Sequence, residues 1–204
     1  MNYIRRNVYI SHGNLDYERL ILNLELVGYP IKIVHNLTNE TDLVVFTGGS
    51  DVTPEFYGEI SSPKTHSDIR RDIKDLVIWN KSMAWDIPVV GICRGAQFVC
   101  VMNGGSLIQH IEGHAIKGNH KLMIVGEGIR EYSIEVNSTH HQAMVPMSTE
   151  GFPDTEIIGW CEDIPEIVFW PNSLSLGIQY HPETMPTNSD GYQFFLRLVK
   201  DYLL

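Results

Sequence analysis

Cysteine is scarce in this chain, with Cys93, Cys100 and Cys161 the only three among 204 residues and no C-x-x-C pair. An odd number of isolated thiols excludes a disulfide framework and fits reduced cysteines, so a cytoplasmic location is expected. No stretch approaches about 18 unbroken apolar residues, and the opening "MNYIRRNVYI" lacks an apolar block of signal-peptide length. Neither secretion nor a membrane span is therefore expected. Positive charge is also in short supply, with 15 Lys and Arg against 25 Asp and Glu and a net charge of -10. Such a chain repels nucleic acid phosphates and anionic lipid, which leaves a small molecule as the expected partner. G-x-G-x-x-G and G-x-x-x-x-G-K-[ST] are missing, so "TGGSD" is not read as a phosphate cradle. H-E-x-x-H is missing too, and internal repeats are not found.

What is present suits an ordinary globule: 43% hydrophobic and 20% charged residues can bury a sizeable core without metals or disulfides. The length fits one domain over residues 1–204. "VYIS" (8–11), "IKIV" (31–34), "LVVF" (43–46) and "IPVVGI" (87–92) read as buried strands. A helix from Leu15 places Leu20, Leu24 and Val27 on one face before Gly28, and Ser67 or Asp68 can cap a second helix running to about Trp85. A third helix spans Arg94 to Asn103 and a last one Tyr192 to Tyr202, while the strands "KLMIV", "YSIEV", "TEIIGW", "EIVFW" and "SLGIQY" fill the space between. This order predicts a three-layer αβα domain in the flavodoxin-like style with a mostly parallel central sheet.

The chemistry-bearing stretch is "PVVGICRGAQF" (88–98), where Cys93 stands between a strand and a helix. A thiolate attacks carbonyls far better than a thiol, and a helix amino terminus favours that anion. Gly91 and Gly95 remove side chains that would collide at so sharp a turn, and the Arg94 N–H can face a developing oxyanion. Further on, "LGIQYHPE" holds His181 and Glu183 two residues apart, on one side of an extended segment. One imidazole nitrogen can then face a thiol while the carboxylate holds the other.

The pattern G-x-C-x-G-x-Q with a downstream H-P-E, here Gly91, Cys93, Gly95, Gln97, His181, Pro182 and Glu183, resembles the class I glutamine amidotransferase-like family. "GGSDVTPEFYGE" (48–59), "SDIRRDIKD" (67–75), "NGGSLIQHI" (103–111) and "VNSTHHQAM" (136–144) resemble the branch that includes γ-glutamyl-γ-aminobutyrate hydrolases, the peptidase C26 branch, although Asp75 stands where that branch carries Glu. The resemblance implies a cysteine hydrolase of γ-glutamyl amides that releases glutamate through a thioester, with Cys93 as nucleophile, His181 as base and acid, and Glu183 as orienter. It implies Gly49 and Arg94 as oxyanion-hole donors, and Gln97 with His140 and His141 around the glutamyl end of the substrate. No cofactor or metal is implied. The same triad would also serve a glutaminase subunit that passes ammonia to a separate synthetase or amidoligase chain, and the fold alone could serve as a binding module.

Several signals are set aside. "HIEGH" spaces His110 and His114 by four, but Gly113 argues against the helix a zinc pair there needs, and His114 and His120 are expected to hydrogen-bond around the following strand. The run Arg70, Arg71, Asp72, Lys74 and Asp75 reads as a solvated helix face. Trp79 and Trp85 read as core or rim packing, and Cys100 and Cys161 as small buried hydrophobes.

Overall fold

The computed structural model describes residues 5–114, 118–125, 131–147 and 155–204; residues 1–4 of the opening stretch discussed above lie outside them. Strands β1 (Arg6–Ser11), β2 (Ile31–Val34), β3 (Leu43–Phe46) and β4 (Val89–Ile92) interleave with helices α1 (Leu15–Leu22), α2 (Ile69–Ala84) and α3 (Arg94–Met102). Then come β5 (Ser106–Ile108), β6 (Gly118–Ile124), β7 (Tyr132–Ser138), β8 (Ala143–Val145), β9 (Glu156–Cys161), β10 (Ile164–Trp170), β11 (Ser175–Ile178) and α4 (Asp190–Leu203). The helix starts follow their caps. Asn14 accepts the N–H of Asp16 at 2.9 Å, and Asp68, not Ser67, accepts that of Arg70 at 3.0 Å. After α1 a 3-10 turn carries the chain to Val27, and Gly28 stops it at φ 98°, a conformation open to glycine.

Nine strands share one sheet in the order β2-β1-β3-β4-β11-β10-β9-β6-β7. The expectation of a mostly parallel sheet is corrected. β2, β1, β3, β4 and β11 are parallel, whereas β10, β9, β6 and β7 each pair antiparallel. The links explain the change of direction. Cys161 pairs with Ile164 and Trp170 with Ser175 across short turns, and a parallel return needs a crossover of about a dozen residues. β5 and β8, too short to show a hydrophobic period, form a separate antiparallel pair.

Every residue of β3, β4 and β11 is buried, as strands covered on both faces must be. On one face Leu20, Ile21, Phe195 and Val199 from α1 and α4 pack on Val45, Val90 and Ile178. On the other, Trp79, Phe98 and Val99 from α2 and α3 pack on Val44, Phe46 and Val89. The layers are therefore helix, sheet, helix. Trp85 stays at the rim.

The reading of Arg70 to Asp75 as a solvated face is also corrected, because Asp72 and Asp75 are both 0% exposed. Arg94, at the start of α3 and itself buried, donates to both carboxylates. The Thr53 N–H and hydroxyl donate to Asp72, and the Ser11 hydroxyl donates to Asp75 at 2.6 Å. Arg71 Nε lies 3.6 Å from Asp75. Two guanidinium groups thus face two carboxylates, and buried charge survives only in such company.

Candidate active site

β4 lies between β3 and β11, and its carboxyl end delivers Cys93 to the tip of the sheet. The Cys93 backbone sits at φ 52°, ψ -111°, outside both the strand and the helix basins. Such a conformation costs about 1–3 kcal/mol and persists only where the surroundings over-determine it. Here the Cys93 N–H donates to the Ile178 carbonyl at 2.7 Å, and the Gln97 N–H donates to the Cys93 carbonyl at 3.1 Å. A methyl at Gly91 would be driven into the Gly95 carbonyl, and one at Gly95 into the Phe46 carbonyl. The elbow therefore rests on backbones stacked without side chains between them. Cys93, 9% exposed as a residue, stands at the amino end of α3, where the helix dipole favours negative charge.

His181 and Glu183 follow β11, but not in the extended conformation expected. The chain turns into a 3-10 helix over Pro182–Thr184, and Pro182 sits where its missing N–H leaves nothing unpaired. This turn, rather than strand alternation, brings His181 Nδ1 to 2.6 Å from Glu183 Oε1. Asn137 fixes the His181 backbone, donating from Nδ2 to its carbonyl at 2.9 Å and accepting its N–H at 2.8 Å. Burial pulls the imidazole towards neutrality, but hydrogen bonding to Cys93 and Glu183 and their negative charge outweigh it, and the His181 pKa is pushed up to about 10. By contrast burial pushes Cys100 up to about 12 and Cys161 up to about 11, where a thiol stays protonated.

The glycine loop after β3 closes over this pair. A Cβ placed on Gly48 would lie 3.1 Å from His181 Cε1 and 3.7 Å from Cys93 Cβ, so only a bare backbone fits between them. The Gly48 N–H donates to the Tyr17 hydroxyl at 2.9 Å. Burial, and then the charge of Glu183, hold that phenol well above its ordinary pKa, so it stays a neutral donor beside the carboxylate. At Gly49, with φ 145°, a side chain would strike the Arg71 guanidinium instead, which donates to the Thr47 carbonyl at 2.9 Å.

The residues assigned to the glutamyl end are placed less uniformly. Gln97 is buried one turn after Cys93, and its Nε2 reaches Gln179 Oε1 at 3.3 Å. His140 faces inward, with Nδ1 2.9 Å from the Gln142 carbonyl and Nε2 3.2 Å from Glu166 Oε1. His141 faces the other way, with Nε2 3.1 Å from Asp51 and Nδ1 3.4 Å from His110. Both imidazoles are thus engaged by other protein groups. His110 and His114 do not converge, since His110 is spent on His141 and Glu112. Tyr17 and Asn137 were missed by the sequence reading. Asn137 lies inside the quoted "VNSTHHQAM", where nothing local marks it as a clamp on a residue 44 positions away.

A glycine-supported cysteine elbow at a strand end, with an imidazole and carboxylate beside it on a three-layer sheet, defines a class I glutamine amidotransferase-like α/β fold. Solved structures agree on that fold. PurLQS from Thermotoga maritima superposes with a TM-score of 0.67 at 16% identity, covering 98% of this chain and 100% of its own. A glutamine amidotransferase from the same organism gives a TM-score of 0.62 at 15% identity over 97% of this chain and 83% of its own. Among curated relatives, the Schizosaccharomyces pombe glutamine amidotransferase candidate PB2B2.05 is 28% identical over 97% of this chain and 86% of its own length. The γ-glutamyl-γ-aminobutyrate hydrolase PuuD of Escherichia coli is 24% identical over 87% and 82%. The Peptidase C26 family profile matches residues 24–183, and the chain belongs to that family. It is thereby a member of the glutamine amidotransferase and γ-glutamyl hydrolase group, whose members cleave amides. Among the described residues, no helix is long and apolar enough to cross a membrane.

Proposed function

We infer that this chain hydrolyses a γ-glutamyl amide, with Cys93 as nucleophile, His181 as acid and base, and Glu183 as the group that orients the imidazole. The observation that carries the reading is that Glu183 holds His181 Nδ1 at 2.6 Å while one point beside Gly48 lies within 4 Å of both the His181 ring and Cys93 Cβ, so the oriented imidazole and the thiol-bearing residue flank the same glycine. Cys93 passes its thiol proton to His181, Sγ adds to the γ-carbonyl carbon, and the carbonyl electron pair moves onto oxygen. The Arg94 N–H and the glycine loop face that oxyanion; with the Gly48 N–H committed to Tyr17, the loop's donor in this reading is Gly49. Collapse breaks the carbon–nitrogen bond, and His181 gives its proton to the departing amine. Water then adds to the thioester and gives a proton to His181, collapse expels the Cys93 thiolate and glutamate leaves, and the imidazolium hands that proton back to the thiolate. Glu183 is 4% exposed at its side chain, so its charge acts on the ring with little screening.

The kinship with the E. coli hydrolase, whose name specifies a γ-glutamyl amine, favours such amines over free glutamine. The test uses the chain purified alone. Glutamate release from a panel of γ-glutamyl amines is compared with release from glutamine, and a glutamine-analogue electrophile is used to label the protein. The reading expects release from at least one γ-glutamyl amine, label on Cys93, and loss of both in Cys93→Ser. Turnover of glutamine alone, rising when a synthetase chain is added, would instead favour an ammonia-donating subunit. A folded protein that neither turns over nor labels would leave only a binding module.

A further inference from the structure

Away from that site, two stretches remote in sequence, residues 114–120 and 161–166, converge on one largely buried cluster. His114 precedes β6, His120 lies on β6, Cys161 ends β9 and Glu166 belongs to β10. One ligating atom from each lies within 4.8 Å of the others. His114 is 9% exposed, Cys161 7% and Glu166 0%, so this is not a solvated patch of acids.

Two features of the cluster call for a ligand. Pro165 pairs with Trp160 and Ile167 with Gly159, which makes Glu166 the extra residue of a β-bulge. Bulges re-aim side chains, and this one turns a carboxylate inward, with Oε2 3.0 Å from His120 Nε2 and Oε1 3.2 Å from His140 Nε2. The second feature is His114. Its Nδ1 faces the Glu112 carbonyl at 3.4 Å, which puts the ring proton there and leaves Nε2 with a lone pair. That Nε2 is buried and has no hydrogen-bond partner. A ring anchored through one nitrogen to a backbone carbonyl, with the other bare, is how metal-bound imidazoles are oriented. The Ser138 hydroxyl steadies the segment by donating to the His114 carbonyl at 2.5 Å.

We propose that His114, His120, Cys161 and Glu166 bind a divalent transition-metal ion of the zinc class, with His140 holding Glu166 from outside. Two imidazoles, a thiolate and a carboxylate form a set of borderline softness that suits zinc or cobalt, whereas magnesium and calcium take oxygen ligands. Bonds of about 2.0–2.3 Å put the donor atoms of a tetrahedral zinc roughly 3.3–3.8 Å apart, so the cluster closes by about 1 Å of side-chain movement. On loading, Cys161 releases its thiol proton to solvent, and thiolate and carboxylate together offset the charge of the ion. The sequence reading set zinc aside at His110 and His114; the partners of His114 lie instead on β6, β9 and β10. The ion would brace the antiparallel half of the sheet. It meets the candidate active site through Gln142, whose carbonyl takes both His140 Nδ1 and Gln97 Nε2, and through the Glu166 carbonyl, which accepts the Gln179 N–H at 2.8 Å.

Cobalt(II) is the probe, because tetrahedral cobalt bound to a thiolate shows visible ligand-field bands and a near-ultraviolet sulfur-to-metal band. The full chain carrying Cys93→Ser is titrated, which removes the thiol next to His181 from competition. The expected result is a set of bands that saturates at equimolar cobalt, disappears on adding zinc, and is lost in the further variant Cys161→Ser. Removing an outer partner of a metal ligand weakens binding about 10–100-fold, so His114→Ala, which removes a ligand, should weaken it by at least as much. If Cys161→Ser does not fold, the same reading comes from the Cys93→Ser protein, in which zinc should protect Cys161 from a thiol reagent. A titration without the sulfur band, a band that survives Cys161→Ser, or a Cys161 that zinc leaves unprotected would overturn the proposal.

Discussion

Asn137 holds His181 by both faces of its backbone, Nδ2 on the carbonyl at 2.9 Å and Oδ1 on the N–H at 2.8 Å. The side chain of Asn137 also reaches Thr184 at 2.8 Å, so a single residue of β7 sets the turn that carries His181 and Glu183. Positioning of this kind is worth as much as chemistry, since a displacement of about 1 Å can cost about 10²-fold in rate. Asn137→Ala is expected to lower kcat by about 10- to 10²-fold while leaving the circular dichroism spectrum unchanged. Steady-state kinetics on whichever γ-glutamyl amide proves active checks it.

The second prediction concerns pH. His181 titrates at about 10 in the fold against an ordinary 6.5, so the folded chain holds the extra proton between those values. A raised imidazole pKa stabilises fully below about 6.5, and that contribution is lost as pH climbs towards 10. Chemical denaturation of the native chain and of His181→Gln, measured from pH 6 to 10, should show the native advantage shrinking steadily with rising pH. An advantage that grew with pH would contradict the assignment.

Asp72→Ala tests the buried ion network. The substitution leaves the Arg94 guanidinium, 1% exposed, with one carboxylate instead of two, and removes the acceptor of the Thr53 N–H and hydroxyl. Breaking a buried pair from one side typically costs about 3–5 kcal/mol. Urea denaturation should show a loss of that size, and Arg70→Ala on the exposed side of the same helix should show almost none.

Gly91→Ala drives a methyl into the Gly95 carbonyl, and neither backbone can give without moving the start of α3. Overpacking that side chains can relieve costs about 1–3 kcal/mol. This one should reach the upper end or beyond, and Cys93 should lose reactivity towards thiol reagents as the elbow shifts. Gly58→Ala, where nothing lies within 4 Å, is the control for a merely unfavourable glycine conformation.

The elbow was legible in the sequence because its causes are local. Gly91, Cys93 and Gly95 stand within five residues, and the glycines report a close backbone approach whatever the partner. Strand direction was not legible. A buried strand such as β11 has the same apolar run whether its neighbour is parallel β4 or antiparallel β10, and only the turn lengths distinguish them. Asp72 and Asp75 misled for a related reason. Their i, i+3 spacing is that of a wet helix face, and what turns it inward is Arg94, a residue of another element. His114, His120, Cys161 and Glu166 come from separate segments, so no window of sequence holds them together.

The backbone at Cys93, held at φ 52°, ψ -111°, carries a last consequence. Glycine visits such angles freely, so Cys93→Gly should yield a chain that resists denaturant better than the native one. The sturdiest version of this protein would then be an idle one, and any drift of the sequence towards robustness would pull first at its sulfur.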